Sequence, residues 1–279
     1  MQLIADSGST KVDWRAIMND GSVKQISTEG INPVFLEDDY IINIFKEHLL
    51  PEIGPDVDEI YFYGAGVVSE EISSKLDRCF KVVFPKSKCI AASDVLAAAR
   101  ALCGHKSGIA CIMGTGSNSC FYDGEGIAKN VKAGGFILGD EASGAYLGKR
   151  LISDFIKGLL PEAIEKEFIN RYGLDYPAIV QKVYSEQLPS RFLASFSPFI
   201  FEYKNHPHIA NLIKTSFDEF LKRNIIHYDY KKYEVNFVGS IAYYYQEILT
   251  KAVAANGMRM GKILKSPIDG LIDYHKELI

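Results

Sequence analysis

The stretch "IADSGSTKVDWRAI", Ile4–Ile17, joins an apolar run to an alternating one through Gly8, Ser9, Thr10 and Lys11. Such a pattern predicts strand, tight turn, strand. The glycine and hydroxyls of the turn offer backbone N–H groups and side-chain donors suited to an anion, with phosphate the natural candidate. Asp6, at the entrance to the turn, would repel that anion. Either it faces away, or a cation stands between it and the phosphate.

The pattern recurs at "IMGTGSNSCFY", Ile112–Tyr122, where Gly114 and Gly116 would let the backbone approach phosphate oxygens while Thr115 and Ser117 donate hydroxyls. Either segment alone is most simply a turn, with Lys11 a solvated charge, since glycine, serine and asparagine are what turns are made of. The spacing G-x-x-x-x-G-K-[ST] of a P-loop is absent from Asp6–Lys11. Two such hairpins, one opening each half of the chain, predict a duplicated fold whose halves face one ligand across a cleft. A polyphosphate fits that arrangement. The boundary between halves falls at about Gly104, giving lobes 1–104 and 105–279.

Strand patterns cover Gln2–Asp6, Val12–Met18, Val23–Ser27 and Glu59–Tyr63, with "NDGS" at Asn19–Ser22 as a turn. "DDYIINIFKEHLLPEI", "SEEISSKLDRCF" and the Ala-rich "ASDVLAAARALCGHKSG" read as helices, the last capped by Ser93 or Asp94 and stopped at Gly104. A strand follows at Ile109–Met113. Beyond Asp140 the chain is mainly helical, interrupted by the strand "YEVNFVG", Tyr233–Gly239, which runs through Ser240 into another helix. That strand-glycine-helix junction is a further ligand edge. The last helix, about 266–279, is expected to pack on the N-terminal lobe.

Asp94 can be a helix cap, a carboxylate that orients an acceptor hydroxyl in phosphoryl transfer, or both. In "AGGFILGDEASGAY", Ala133–Tyr146, Asp140 and Glu141 are expected in the first turn of a long helix, favoured there by its dipole. Gly134 and Gly135 beside a carboxylate also suit close approach to sugar hydroxyls. The run Tyr243–Tyr245 and the aromatics from Phe192 to Phe201 read as packing. His105, His206, His208 and His227 lack the spacing of metal ligands.

With 279 residues, 47% hydrophobic and 24% charged, the chain can form one large or two modest domains. A net charge of -4 without a basic run excludes an electrostatic footprint for nucleic acid. Met1–Ala5 is too short for a signal-peptide core and no later run approaches a membrane span, so a cytoplasmic protein is expected. Five cysteines without a C-x-x-C pair argue against a disulfide framework or zinc site.

The chain resembles the BadF/BadG-type ATPase family, in its N-acetylglucosamine kinase branch, within the superfamily of actin, hexokinase and chaperone ATPases. "DSGSTK" resembles the first phosphate motif, "GTGSNS" the second, "FVGSIA" the adenosine motif and "GGFILGDEASGAY" the segment that follows the second motif in amino-sugar kinases. The resemblance implies an α/β fold of two ribonuclease-H-like lobes around a nucleotide cleft, with extra helices in the second lobe. It implies ATP and Mg²⁺ in the cleft, a sugar deeper in, and a function as an amino-sugar kinase.

By the same resemblance Asp6 holds Mg²⁺ largely through water, which answers the opening puzzle. Ser9, Thr10 and Lys11 would contact the transferred phosphate, Gly114, Thr115, Gly116, Ser117 and Asn118 the remaining phosphates, and Gly239 with Ser240 the adenosine. Asp94 matches the catalytic base, while Asn32 in "GINP", Gly135 and Asp140 match sugar-binding positions. The acceptor stays open among N-acetylglucosamine, N-acetylmuramic acid, glucosamine or another hexose. Two rival readings are an activator ATPase with an iron-sulfur cluster bridging two subunits, and a non-catalytic nucleotide or sugar sensor. A homodimer is compatible with the helical second lobe but not established by the sequence.

Overall fold

The computed structural model describes residues 1–8 and 11–276. They divide into two compact units: the first comprises Met1–Lys106, Gly124–Gly126 and the chain from Ser266, and the second Ser107–Asp123 and Ile127–Lys265.

The sheet of the first unit is built from β1 (Gln2–Ser7), β2 (Lys11–Ile17), β3 (Val23–Glu29), β4 (Glu59–Gly64) and β5 (Lys88–Ser93), in the order β3-β2-β1-β4-β5. The first three strands are antiparallel neighbours, and β1, β4 and β5 are parallel. β1 is central, and its Leu3, Ile4 and Ala5 are buried on both faces, which is why that strand reads as an unbroken apolar run. β2 alternates instead, burying Val12, Trp14 and Ala16. Trp14 packs on Phe45, Phe62 and Phe80, and its indole N–H donates to Thr28 Oγ1 at 2.9 Å, so its own buried donor is met.

The helix Glu70–Val83 is capped by Ser69, whose Oγ accepts from Ile72 N, and lays Leu76, Cys79, Phe80 and Val83 into this core. The helix expected over 38–53 is not uniform. It runs as α-helix over Asp38–Ile44, widens to a π turn at Phe45–Leu49 and ends in Leu50–Ile53. Pro51 explains the change: it brings no N–H to the helical ladder, and Leu50 N reaches back five residues to Phe45 O.

The helix Ile268–Lys276 packs on the helix Asp94–Cys103 and on β1. Its His275 is fully buried, with Nε2 2.9 Å from Tyr63 Oη and the ring 3.8 Å from that of Tyr61. Because Arg100 donates to the same Tyr63 oxygen, the tyrosine's own proton is directed to His275 Nε2, which fits a neutral imidazole. Burial, then the positive charge of Arg100 and the nearby His105, pushes the His275 pKa down to about 4. The unfolded chain therefore binds more protons between the ordinary histidine value and about 4, and stability falls as pH drops through that window. Calorimetric Tm values from pH 7 to 4 should fall less steeply in His275→Gln than in the wild type; equal slopes would show that this histidine does not titrate on unfolding.

The second unit repeats the plan with β6 (Gly108–Met113), β7 (Ser117–Tyr122), β8 (Ile127–Val131), β9 (Val235–Val238) and β10 (Met260–Leu264), in the order β10-β9-β6-β7-β8. Its first strand is again central, antiparallel to the second and parallel to the fourth, so the order and senses of the first sheet recur. Between β8 and β9 the chain is helical, and Phe168, Tyr172, Phe196 and Phe199 form an aromatic core there. No helix among the described residues is long and apolar enough to cross a membrane.

Candidate active site

In the first unit the acids gather at the carboxyl ends of the parallel strands, the edge where open α/β sheets place ligands. Asp6 lies directly opposite Asp13 in the β1–β2 register, and Asp94 follows the last residue of β5. Burial first, then the charges of Asp13 and Asp94, push the Asp6 pKa up to about 6, against a 3.5 Å hydrogen bond from Ser266 Oγ and the charge of Lys11. Lys11 itself is paired with Asp13 at 2.8 Å. Asp94 is raised by burial, opposed by backbone N–H groups including that of Val95.

Ser93, not Asp94, caps the helix Asp94–Cys103: its Oγ accepts from Leu96 N. The Asp94 carboxylate is thus not needed as the cap. No three His, Cys, Asp or Glu side chains among the described residues form a metal cage. A hard cation at Asp6 would therefore complete its shell with water and phosphate oxygens, which is how Mg²⁺ is usually held. The residues present fit that ion.

Asn32 is fixed by its own turn. Its Oδ1 accepts from Val34 N at 3.1 Å and its backbone oxygen from Phe35 and Leu36, leaving the amide NH₂ as the end it can offer to a ligand oxygen. Gly66 lies against this side chain: a Cβ there would overlap Oδ1 and come within 2.9 Å of Cγ. Gly66→Ala is expected to displace Asn32, so any ligand held through the Asn32 amide should bind about tenfold more weakly in the variant, read by calorimetric titration.

In the second unit the turn between β6 and β7 is gripped from behind by the segment 140–145. Gly144 N donates to Gly114 O at 2.8 Å and Ala145 N to Thr115 O at 3.0 Å, so the first turn of the helix Gly144–Ile156 meets the loop's carbonyls. In a trans peptide the C=O and N–H point in opposite directions. The N–H groups of Thr115 and Gly116 are therefore turned away from that helix, as an anion-binding turn requires.

The hydroxyl of Ser117 donates to Glu141 O at 2.7 Å, and Asn118 Oδ1 accepts from Ser119 N and Asn130 Nδ2. Both side chains are used within the unit. Asp140 and Glu141 do not form a first helical turn as expected. Ser143 caps the helix, and Asp140 and Ala142 have φ of +53° and +61°, which places both acids in an irregular approach to it.

Gly114, Thr115 and Ser240 line one cavity of about 490 Å³, with Ala194, Phe201 and Tyr244 among its other walls. Ser195 Oγ donates to Phe192 O and Ser197 Oγ to Ala194 O, which turns two hydroxyls onto their own backbone and leaves that side apolar. The reading of the nearby aromatics as packing holds for Tyr245, buried with its hydroxyl donating to Ser197 O at 2.9 Å, and for Phe201, which packs on the core; both also line the cavity, together with the more exposed Tyr244. Such a cavity suits a flat, largely apolar ring system.

Gly239 joins β9 to the short helix Ser240–Tyr244 and abuts the base of the β6–β7 turn. Gly135 lies in a separate turn with φ of +69°. Ser9 and Thr10, the other expected phosphate contacts, fall outside the described residues. Sequence reasoning missed Ser266 beside Asp6, Gly66 behind Asn32 and the cavity walls Phe201 and Tyr244.

Two sheets of the same strand order, each flanked by helices, define an actin-like ATPase fold of two ribonuclease-H-like lobes. The chain matches the solved structure of the "Putative N-acetylglucosamine Kinase" of Porphyromonas gingivalis at 42% identity over 99% of both chains, with a TM-score of 0.94. It belongs to the same family as that protein. A "Putative N-acetylglucosamine Kinase" of Chromobacterium violaceum, 16% identical over 98% of both chains at a TM-score of 0.76, shares the fold. So does the "putative N-acetylmannosamine kinase" of Listeria monocytogenes, 13% identical over 100% of this chain and 99% of that one, with a TM-score of 0.54. No family model matches the chain, and no curated protein does.

Proposed function

We propose that the protein is an ATP-dependent amino-sugar kinase of the BadF/BadG-type family, which transfers the γ-phosphate of ATP to the 6-hydroxyl of N-acetylglucosamine or a close analogue. The observation that carries this reading is the shared cavity of Gly114, Thr115 and Ser240, in which the second phosphate motif and the adenosine motif meet beside Phe201 and Tyr244. Adenine would lie against those two rings, with its phosphates toward Thr115. The Porphyromonas gingivalis relative, named for the same activity, supports the substrate class.

On this reading the Asp94 carboxylate takes the proton of the sugar 6-hydroxyl as that oxygen bonds to the γ-phosphorus, and the bond from phosphorus to the β–γ bridging oxygen breaks to release ADP. Asn32, Gly135 and Asp140 orient the sugar, Asn32 through its amide NH₂. Lys11 faces the transferred phosphate, and the outward N–H groups of Thr115 and Gly116 the remaining ones. Magnesium, carried at Asp6 through water, would supply neutralising charge to the β- and γ-phosphates. Positioning and charge stabilisation dominate such a loose transition state, so little covalent work falls to the protein.

Cys111 and Cys120, the pair an iron-sulfur activator would need at an accessible subunit interface, are both wholly buried, which counts against that rival. The test is coupled ADP release with Mg-ATP over N-acetylglucosamine, N-acetylmuramic acid, glucosamine and glucose, with the phosphosugar detected by mass. A sugar-dependent rate with a matching phosphosugar is expected, and ADP release indifferent to every sugar would defeat the proposal. Tyr244→Ala should raise the KM for ATP about tenfold while leaving the acceptor KM near the wild-type value, since stacking on one ring is worth about 1–3 kcal/mol.

A further inference from the structure

The segment 140–145 makes a separate hydrogen bond to each of residues 114, 115 and 117. Two of its acceptors converge on Ser117: Asp140 Oδ1 accepts from Ser117 N at 3.3 Å, and Glu141 O accepts from Ser117 Oγ at 2.7 Å. Asp140 Oδ2 is close against the turn as well, because a Cβ on Gly116 would stand 3.0 Å from it. The carboxylate therefore bears on the backbone of the phosphate turn directly.

This convergence needs unusual backbone. Asp140 and Ala142 both occupy the left-handed region, which a branchless glycine enters freely and an alanine does not. Their carbonyl and side-chain directions are thereby reset on either side of Glu141. Glu141 is buried and anchored by Arg223 at 3.3 Å and Asn224 at 3.4 Å, at the end of the helix Pro207–Arg223. The grip on Ser117 is thus held to the helical body of the unit. Ser117 is itself buried, so its N–H has no ready access to water as a substitute partner.

We propose that Asp140 is a positioning residue for the nucleotide phosphates, holding the Gly114–Ser117 turn in its anion-binding form through Ser117 N, besides any contact it makes with the sugar. The inference rests on the proposed function. It goes beyond it in assigning one carboxylate to both substrates: the group expected to touch the acceptor also sets the shape of the turn that takes the phosphates. Acceptor and nucleotide affinities would be linked through it, reciprocally.

The test is calorimetric titration of Mg-ADP in the absence of any sugar, with wild type, Asp140→Ala and Asp140→Asn, and circular dichroism to confirm folding. Asparagine keeps an oxygen that accepts from Ser117 N; alanine does not. Asp140→Ala should bind Mg-ADP about tenfold more weakly, about 1.4 kcal/mol, while Asp140→Asn stays within about threefold of wild type yet shows a raised acceptor KM. Should Asp140→Ala not fold, Asp140→Ser takes its place, since its shorter side chain does not reach Ser117 N. Unchanged Mg-ADP affinity without the carboxylate would confine Asp140 to the sugar and overturn the proposal while the kinase reading stands. Equal loss in the alanine and asparagine variants would make charge, not the accepted hydrogen bond, the cause and overturn it too. Wild-type protein that does not bind Mg-ADP would overturn the nucleotide reading and the proposal together.

Discussion

Asp94→Asn is expected to lower kcat for sugar phosphorylation by about a thousandfold or more, with Mg-ADP affinity within twofold of wild type. The magnitude is that of a general base, about 10²–10⁴, in a site with no other carboxylate assigned to the acceptor hydroxyl proton. The prediction is clean because the fold does not use this side chain as its helix cap: Ser93 does that, and Asp94 is the first helical residue. Asparagine preserves shape and removes a carboxylate whose charge burial disfavours, so Tm should stay level or rise. Steady-state rates, ADP titration and a melting curve on one preparation decide it. Turnover near wild type would remove Asp94 from its assigned role.

The second large effect is structural. Gly239 has φ of +122°, and a Cβ on it would overlap the Met113 carbonyl oxygen and lie 2.6 Å from the carbonyl carbon. Both are backbone atoms of the strand that leads into the β6–β7 turn, so neither can swing aside as a side chain could. Gly239 N also donates to Leu264 O at 3.0 Å, which ties the junction to the edge strand. Gly239→Ala should therefore cost roughly 3–5 kcal/mol, a Tm lower by about 10 °C for a protein of this size, with weakened Mg-ADP binding in whatever fraction folds. A variant that melts and binds like wild type would show that the junction relaxes freely.

Much of the fold was legible because its signals are local. A glycine-hydroxyl turn between an apolar and an alternating run needs no tertiary information to be recognised, and finding it twice implied the duplication that the strand orders display. The edge strands of the second sheet were not legible, although β3, an edge of the first, was. β8, "IAKNV", and β10, "MGKIL", lack a clear alternation, and their strand character comes from the neighbours that pair with them.

Within the candidate site, the residue types at Asp6, Asp94 and Thr115 pointed to chemistry, but their surroundings did not show in the sequence. Phe201 and Tyr244 lie in aromatic-rich runs that read as packing, and it is the fold that brings them together with Thr115 and Ser240 around one cavity. Asp140 was misread as a first-turn acid because a left-handed backbone at a non-glycine residue has no sequence signature. Ser117 looks like a ligand donor from its residue type and Asn118 is made one by the family resemblance, while in the structure the Ser117 hydroxyl donates to Glu141 O and Asn118 Oδ1 accepts from Asn130.

The covering of the Asp94 helix by Ile268–Lys276 has a further consequence for how the protein is made. The ribosome delivers β1 to β5 and the Asp94 helix early, then the whole second unit, and only afterwards the segment that packs against that helix. Until it emerges, the face of the Asp94 helix around Ala101 that it covers has no lid. Ser266, which steadies Asp6, arrives with the same segment. The first unit begins the chain, yet it is finished after the second.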